Sequence, residues 1–274
     1  MSEMLTYSFM QRAFIVGNVI AVIAPLIGVF LIMKRLALIG NTISHVALAG
    51  VALGMILGIY PVYMALLISV IAALGIERMR KSYQDYAELS LSIILATGLG
   101  MATILISLAP NSAGIMSYLF GSITLVTRQD LSIVIPLGII IILVVFKYYY
   151  GLFYLSFNEE DARLSGIPVR FLNIVFILII SLTIALSMRI IGGLLIASLI
   201  SIPVATALQL ARSFKGTIIY SIFFAVVSVN SGLTFSFYYD LAPGGTIIIT
   251  GVAILVLVIG LQKLKGYRKQ PDFS

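Results

Sequence analysis

Residues 24–54 read APLIGVFLIMKRLALIGNTISHVALAGVALG, and this stretch decides the fold class. Two long apolar runs meet here at a single Lys34–Arg35 pair. They extend over residues 13–33 and 36–59, and an α-helix needs about 20 apolar residues to cross a hydrocarbon core about 30 Å thick. The stretch therefore predicts two consecutive transmembrane helices joined by a short basic turn.

The composition of the whole chain also indicates an integral membrane protein. Of its 274 residues, 61% are hydrophobic and 10% are charged, and the mean hydropathy is +1.16. A soluble domain is about a quarter charged. The net charge of +7 does not indicate a nucleic-acid partner, because the basic residues form short clusters between apolar segments. The sequence has no cysteine, which excludes disulfide bonds and a thiolate metal cage.

Seven further apolar runs predict an all-α bundle of nine spans in a single transmembrane domain, residues 1–274. The nine predicted spans are 13–33, 36–59, 61–76, 89–108, 131–146, 170–188, 190–208, 216–236 and 246–262. The runs 61–76 and 131–146 are short, so their helices are expected to extend into polar flanks. Residues 115–126 are too short to span, and predict a non-spanning or re-entrant helix on the outer side. No cleavable signal is expected, because Glu3 precedes a first run that is long enough to span.

The distribution of lysine and arginine predicts the orientation, since cytoplasmic loops are enriched in both. Nine crossings with the N-terminus outside and the C-terminus inside leave only Arg12, Arg128 and Arg189 outside. The cytoplasmic set is then Lys34, Arg35, Arg78, Arg80, Lys81, Lys147, Arg163, Arg170, Arg212, Lys215, Lys263, Lys265, Arg268 and Lys269. The sequence therefore predicts a multi-pass protein of the cytoplasmic membrane.

His45 is the one histidine of the chain, and the second predicted span places it about 14 Å from the start of that span. Titratable groups at this depth are costly, which makes each a functional candidate. Asn41 lies four residues earlier, on the same helical face. All ten acidic residues fall in loops, termini or span edges. The alternative for His45 is a neutral imidazole bonded to a neighbouring helix.

An imidazole and an amide oxygen predict a site for a passing divalent metal. Imidazole suits zinc, manganese and iron, and zinc prefers nitrogen or sulfur in a four-coordinate site. One histidine without cysteine cannot complete such a site, but a two-fold dimer would supply two copies each of His45 and Asn41. That site would be weak and open, as conduction requires. The metal is then cargo, and no permanently bound cofactor is expected.

The energy for active transport is expected to come from a separate subunit. The sequence has no phosphate-binding loop, and neither paired catalytic carboxylates nor an HExxH motif, so the chain is not expected to be an enzyme. Two cytoplasmic stretches are long enough to dock an ATPase, residues 147–169 and 203–216. The second predicts a short amphipathic helix that ends at Gly216. The alternative for both is a membrane-surface loop whose charges only set the topology.

Five stretches resemble the membrane permeases of bacterial zinc/manganese ABC importers, the ZnuB- and AdcB-like family. They are APLIGVFLIMKRLALIGNTISHVALAGVALG (24–54), YLFGSITLV (118–126), SFNEEDARLSGIPV (156–169), IGGLLIASLISIPVATALQLARS (191–213) and SGLTFSFYYDLAPGGTIII (231–249). The resemblance implies a homodimer with cytoplasmic ATPase subunits and an extracytoplasmic metal-binding protein. It matches His45 to a metal-contacting histidine, whereas Asn41 stands where the family usually has aspartate.

The resemblance also implies two contact regions. The segment that couples the permease to the ATPase would include Pro203, Ala207, Ala211 and Arg212. A face near the binding protein would include Asp240, Pro243 and Gly244, and the alternative for these three is a turn that only joins two spans.

The stretches SFMQRAFIVGN (8–18) and ISHVALAGVALG (43–54) resemble the zinc permeases more than the manganese ones, so zinc is the expected cargo, with manganese or iron as the alternative. Two other classes stay open. One is a secondary metal carrier driven by protons or sodium, which the lack of mid-span carboxylates disfavours. The other is a membrane scaffold or sensor that transports nothing.

Overall fold

The structure is a computed structural model that describes residues 4, 6–82, 87–109 and 112–264. Twelve α-helices lie between Ser8 and Leu264, and the described residues include no strand. The helices are α1 (Ser8–Met33), α2 (Leu38–Leu57), α3 (Pro61–Ser82), α4 (Ala87–Leu108), α5 (Ser112–Phe120), α6 (Arg128–Lys147), α7 (Tyr149–Phe157), α8 (Glu159–Leu164), α9 (Val169–Ser187), α10 (Ile196–Leu210), α11 (Phe214–Tyr239) and α12 (Pro243–Leu264). Lys265, Arg268 and Lys269 lie outside the described residues.

Eight of these helices are long and apolar enough to cross a membrane, namely α1, α2, α3, α4, α6, α9, α11 and α12. They confirm the predicted polytopic helical bundle. α3 and α6 are longer than the apolar runs 61–76 and 131–146, as expected from their polar flanks. α6 begins with a capping box, in which the Thr127 hydroxyl and the Asp130 carboxylate each accept a hydrogen bond from the other's backbone N–H.

The predicted span 190–208 has a shorter helix than expected. α10 starts at Ile196 and has 15 residues, because residues 188–195 leave the helical path. Gly192 has a φ of +90°, and the N–H of Gly193 donates to the Tyr118 carbonyl at 2.7 Å instead of continuing a helix. An isolated sequence pattern does not reveal such a long-range backbone partner.

α5 is the short non-spanning helix that residues 115–126 predicted. It has nine residues and ends at Phe120, so its length is about 13 Å, less than half of a hydrocarbon core. Residues 121–127 follow without regular helix, and Gly121 has a φ of +81°.

α1, α2 and α9 form the centre of the bundle, because most of their residues are buried, whereas most residues of α4 and α12 are not. α2 packs most extensively against α3 and α4. Small residues allow these close contacts, as is common between membrane helices. A Cβ atom at Gly50 would lie 2.8 Å from the Cα of Ala65 on α3. The predicted metal-binding helix therefore lies inside the bundle.

The bundle has two distinct polar ends. One, here called the basic end, contains Lys34 and Glu159 in contact, and Phe214 packed against Phe30. The other, here called the Arg189 end, contains Arg189 beside Asp130. α1 begins at the Arg189 end, where the Arg12 Nε donates to the Val126 carbonyl at 2.8 Å. α12 finishes at the basic end, where Gln262 bonds to the Gln209 carbonyl.

Candidate functional site

α2 carries both predicted metal ligands on a face that the rest of the chain leaves partly open. Leu38 is exposed, and Asn41 and His45 are half-buried, although most of α2 is buried. Their spacing of three and four residues places all three on one helical face. His45 lies about 10 Å along a helix about 30 Å long, so it is well inside the spanning segment. We call these three residues the α2 stripe.

The hydroxyl groups next to the stripe are used within α2 itself. Thr42 Oγ1 donates to the Leu38 carbonyl at 3.1 Å, and Ser44 Oγ donates to the Asn41 carbonyl at 2.8 Å. Both side chains are buried. The polar groups that reach the open face are therefore the Asn41 amide and the His45 imidazole.

One copy of the chain supplies too few ligands for a closed metal site. Across the described ranges, no three His, Cys, Asp or Glu side chains come together in a way that could hold a metal ion. An imidazole and a neutral amide oxygen can bind a divalent metal only weakly, and zinc sites usually have four ligands. The stripe can contact a passing ion, and a tighter site needs ligands from another molecule.

Two irregular segments interlock beside this helix. The Leu194 N–H donates to the Leu119 carbonyl at 3.3 Å, and the Ser122 N–H donates to the Arg189 carbonyl at 3.1 Å. A Cβ atom at Gly193 would lie 3.8 Å from the Ser44 carbonyl, one residue before His45. Non-helical backbone at membrane depth is tolerated where protein buries it and satisfies its hydrogen bonds. Two consecutive glycines permit close backbone packing, but the sequence alone gives no sign of the partner segment.

Arg189 and Asp130 form a buried ion pair at the Arg189 end. The Arg189 Nε lies 3.4 Å from Asp130 Oδ2, and a second guanidinium nitrogen bonds to the Leu125 carbonyl. Tyr60 donates from its hydroxyl to Asp130 Oδ1 at 2.6 Å. Burial, reinforced by this bond to Asp130, raises the pKa of Tyr60. The Thr127-x-x-Asp130 spacing could have indicated the helix cap, but not the pairing with a residue 59 positions away.

A second polar cluster joins four helices at the basic end. Lys34 Nζ lies 3.0 Å from Glu159 Oε1 and donates to Asn173 Oδ1 at 2.7 Å. Arg80 contacts the same Glu159 oxygen at 3.3 Å and Glu77 Oε2 at 3.4 Å. We call these five residues the Lys34 cluster. The sequence had indicated only a role in membrane topology for its two basic residues, Lys34 and Arg80.

Burial and the neighbouring opposite charge act in opposite directions on the pKa of Lys34, and likewise on the pKa of Glu159. Burial lowers the pKa of Lys34, although the Glu159 carboxylate opposes the shift. Burial alone would raise the pKa of Glu159, but Lys34 and Arg80, with hydrogen bonds from Lys34 and Asn173, lower it below its usual value. Glu159 is therefore a carboxylate at neutral pH.

The predicted coupling residues are placed on both sides of a helix end. Pro203 and Ala207 are buried in α10, Ala211 is buried just after it, and Arg212 is exposed. The predicted helix ending at Gly216 is wrong, because α10 ends at Leu210 and a new helix starts at Phe214. The reason is local: the Ser213 hydroxyl caps α11 by accepting from the Gly216 N–H at 3.1 Å.

The predicted outer docking residues lie between α11 and α12. Asp240 is exposed and has a φ of +51°, which ends α11. Pro243 and Gly244 are buried, and a Cβ atom at Gly244 would overlap the Ile191 carbonyl. In this conformation Asp240 is the member of the three that an external protein could contact.

Comparison with known proteins identifies the family. The model of the family described as "ABC 3 transport family" matches residues 6–262. A "Probable metal transport system membrane protein" of Treponema pallidum is 38% identical over 95% of this chain and 98% of its own length.

Two further relatives are named for different metals. The "High-affinity zinc uptake system membrane protein ZnuB" of Haemophilus influenzae is 32% identical over 92% of this chain and 97% of its own length. The "Manganese import system permease protein ScaB" of Streptococcus gordonii is 30% identical over 96% of this chain and 95% of its own length.

A solved structure has the same fold. It is that of PsaBC from Streptococcus pneumoniae in complex with Fab, which matches with a TM-score of 0.85 and 28% identity over 96% of this chain and 98% of the matched chain. The predicted resemblance is confirmed over nearly the whole length. The chain belongs to the ABC 3 transport family, and is a multi-pass membrane permease of the zinc/manganese ABC importers.

Proposed function

We propose that two copies of this chain form the translocation path of an ABC importer for a divalent metal, with zinc as the cargo. The observation that carries the proposal is the α2 stripe. Leu38, Asn41 and His45 stay partly open on a helix most of whose residues the rest of the chain buries. The polar side chains of Asn41 and His45 would be costly to expose to hydrocarbon, so a second protein surface is needed there.

A two-fold axis next to the stripe would supply that surface from a second copy. In such an interface each surface patch meets its own equivalent. The two stripes would bring together two imidazoles and two amide oxygens, which is enough for a four-coordinate ion. All four ligands are neutral, which favours an ion that enters from one side and leaves on the other.

The ligand types support zinc over manganese. Imidazole nitrogen suits zinc, whereas carboxylate and other hard oxygen ligands suit manganese. Asn41 provides an oxygen without the negative charge, so the site contains no anionic ligand. Relatives of both kinds are known, so this choice rests on His45 and Asn41 rather than on the family.

The two ends of the bundle support a placement of the partners. The basic end collects Lys34, Arg80 and Arg212, and basic residues are typical of cytoplasmic loops. The exposed turn after α10, with Arg212 at its centre and Pro203, Ala207 and Ala211 packed behind it, would receive the ATPase subunit. The Arg189 end would then face outward, and Asp240 would lie near an extracytoplasmic metal-binding protein.

Metal accumulation in cells tests this function directly. Cells that lack the chain are complemented with wild type, His45→Ala or the control Ile249→Ala, at an exposed position on α12, and uptake of radioactive zinc, manganese and iron is compared. We expect wild type and Ile249→Ala to restore zinc uptake, and His45→Ala to fail at an equal amount of protein in the membrane. Wild-type uptake by His45→Ala would remove His45 from the path. Uptake into ATP-free vesicles driven by an imposed proton or sodium gradient would instead indicate a secondary carrier.

A further inference from the structure

Three hydrogen-bond donors from three separate segments of the chain meet at a single oxygen of Glu159. Its Oε1 lies 3.0 Å from Lys34 Nζ, 3.3 Å from Arg80 Nη2 and 3.3 Å from Asn173 Nδ2. Lys34 follows α1, Arg80 belongs to α3 and Asn173 to α9. A carboxylate with three donors is held firmly in place, because charge-assisted hydrogen bonds are about twice as strong as neutral ones.

Lys34 depends on this carboxylate. Its side chain is 5% exposed, and its ammonium group also lies 5.5 Å from the centre of the Phe176 ring. A buried cation needs a paired anion, since removing one partner leaves an uncompensated charge. Glu159 is the acidic residue in direct contact with Lys34 in the described structure.

Lys34 also begins the turn that leads into the metal-binding helix. Its N–H closes the last turn of α1 on the Phe30 carbonyl at 3.0 Å, and Arg35 follows with a φ of +57°. Leu36 and Ile39 line the same cavity as Lys34. Ile39, in the first turn of α2 and two residues before Asn41, therefore faces the Lys34 cluster across this cavity.

Glu159 belongs to a segment that lies at the surface of the bundle. It is the first residue of α8, whose following residues include the exposed Glu160 and the 86% exposed Leu164. Phe157, just before α8, packs on Phe214 with ring centres 6.1 Å apart. Phe214 starts the helix that follows the exposed Arg212 turn. α8 is thus adjacent to the surface assigned to the ATPase.

We propose that Glu159 is a positioning residue that links α8 and the Arg212 turn to the α1–α2 turn through Lys34. Movement of the ATPase against this surface would shift α8, and the Glu159–Lys34 pair would carry the shift to the start of α2 and so to Asn41 and His45. This inference rests on the proposed function. In it, the Glu159–Lys34 pair transmits the movement that follows ATP hydrolysis to the two metal ligands.

The first test compares Glu159→Gln with Glu160→Gln in the complete transporter, purified with its ATPase subunits from the native host. Both substitutions remove one carboxylate and keep its size, but only Glu159 contacts Lys34. Metal moved per ATP hydrolysed should fall about tenfold in Glu159→Gln, within the range of coupling between two sites. It should stay at the wild-type value in Glu160→Gln. An unchanged ratio in Glu159→Gln would overturn the proposal, and absence of uptake by the wild-type complex would instead overturn the proposed function.

Two further measurements separate positioning from general damage. If Glu159 acts through Lys34, the double variant Lys34→Met/Glu159→Gln should show the same ratio as each single variant, whereas multiplied losses would mean independent roles. Hydrogen exchange of the backbone amides in residues 35–41 should be faster in Glu159→Gln than in Glu160→Gln, and equal exchange would count against the link. If Glu159→Gln fails to insert, Glu159→Asp replaces it. The aspartate side chain is shorter by one methylene, so its carboxylate is withdrawn from Lys34. A wild-type ratio of metal moved to ATP hydrolysed in that variant would overturn the proposal.

Discussion

The Arg189 guanidinium lies 3.4 Å from the Asp130 carboxylate, in a part of the bundle where the aspartate is 1% exposed. Arg189 lies in the irregular segment between α9 and α10, and Asp130 lies in the first turn of α6. The pair therefore fixes the segment that packs beside Ser44. An arginine without its partner at this depth would be a buried charge, which makes the pair a structural requirement.

Asp130→Asn should destabilise the protein by about 3–5 kcal/mol, the usual cost of breaking a buried ion pair by removing one partner. Thermal unfolding in detergent measures this loss. Asp240→Asn is the matched control, because Asp240 is exposed and asparagine also tolerates its left-handed backbone. A melting temperature for Asp130→Asn equal to that of the control would show that Arg189 is satisfied without the carboxylate.

Asn18 and Asn230 exchange two hydrogen bonds between α1 and α11. Their amide-to-oxygen distances are 3.1 and 2.8 Å. Asn18→Leu should cost about 1–2 kcal/mol, since interhelical hydrogen bonds in membranes contribute about this much. The double variant Asn18→Leu/Asn230→Leu should recover part of the loss, because no amide is then left without its partner. Additive losses in the double variant would mean that the two residues act independently.

Gly192→Ala should prevent the interlocking of residues 118–122 with 189–194. Gly192 has a φ of +90°, and a Cβ atom there would overlap the Leu119 carbonyl. The backbone strain and the overlap both destabilise the interlocked segments when alanine replaces Gly192. We therefore expect a lower yield of protein and loss of metal uptake. Gly100→Ala is the control, because its Cβ atom would meet nothing within 4 Å. A stable, transporting Gly192→Ala would show that the segment adopts another path.

The helices could be predicted from the sequence because each depends on its own residues. Apolar run length located all eight helices that are long enough to span, although it predicted nine, and the run 115–126, which is too short to cross a membrane, indicated the short α5. His45 and Asn41 could be named as candidate ligands because polar groups in an apolar run are conspicuous.

The contacts between distant segments could not be predicted in this way. Lys34, Arg189 and Asp130 sit at span ends, where charged residues are ordinary, so nothing local distinguished them from topological charges. Glu159 was one of three consecutive acidic residues, and only the fold brings it, rather than Glu160, to Lys34. The position of α10 was missed for the same reason, since Gly193 bonds to Tyr118, 75 residues earlier.

The stability of the protein should depend on pH through Glu159. Its pKa in the folded state is lower than the ordinary value of 4.5, so its contribution is present above pH 4.5 and is lost as the pH falls through the lower folded value. The difference in melting temperature between wild type and Glu159→Gln should be constant from about pH 7 to pH 5 and shrink in stronger acid. A difference that instead grows on acidification would contradict the assigned direction of the shift.

Asn41→Asp tests the metal preference of the α2 stripe. The substitution keeps the size and the oxygen ligand of Asn41 but adds a negative charge to each copy, beside His45 one turn away. Harder, anionic oxygen suits manganese better than a neutral amide does, so the ratio of manganese to zinc uptake should rise. Competition between the two radioactive ions in complemented cells measures this ratio. Gln129→Glu is the matched control, since it adds the same charge at an exposed position on α6, away from the stripe. A rise of the same size in the control would assign the change to surface charge, and an unchanged ratio in Asn41→Asp would mean that residue 41 does not contact the ion.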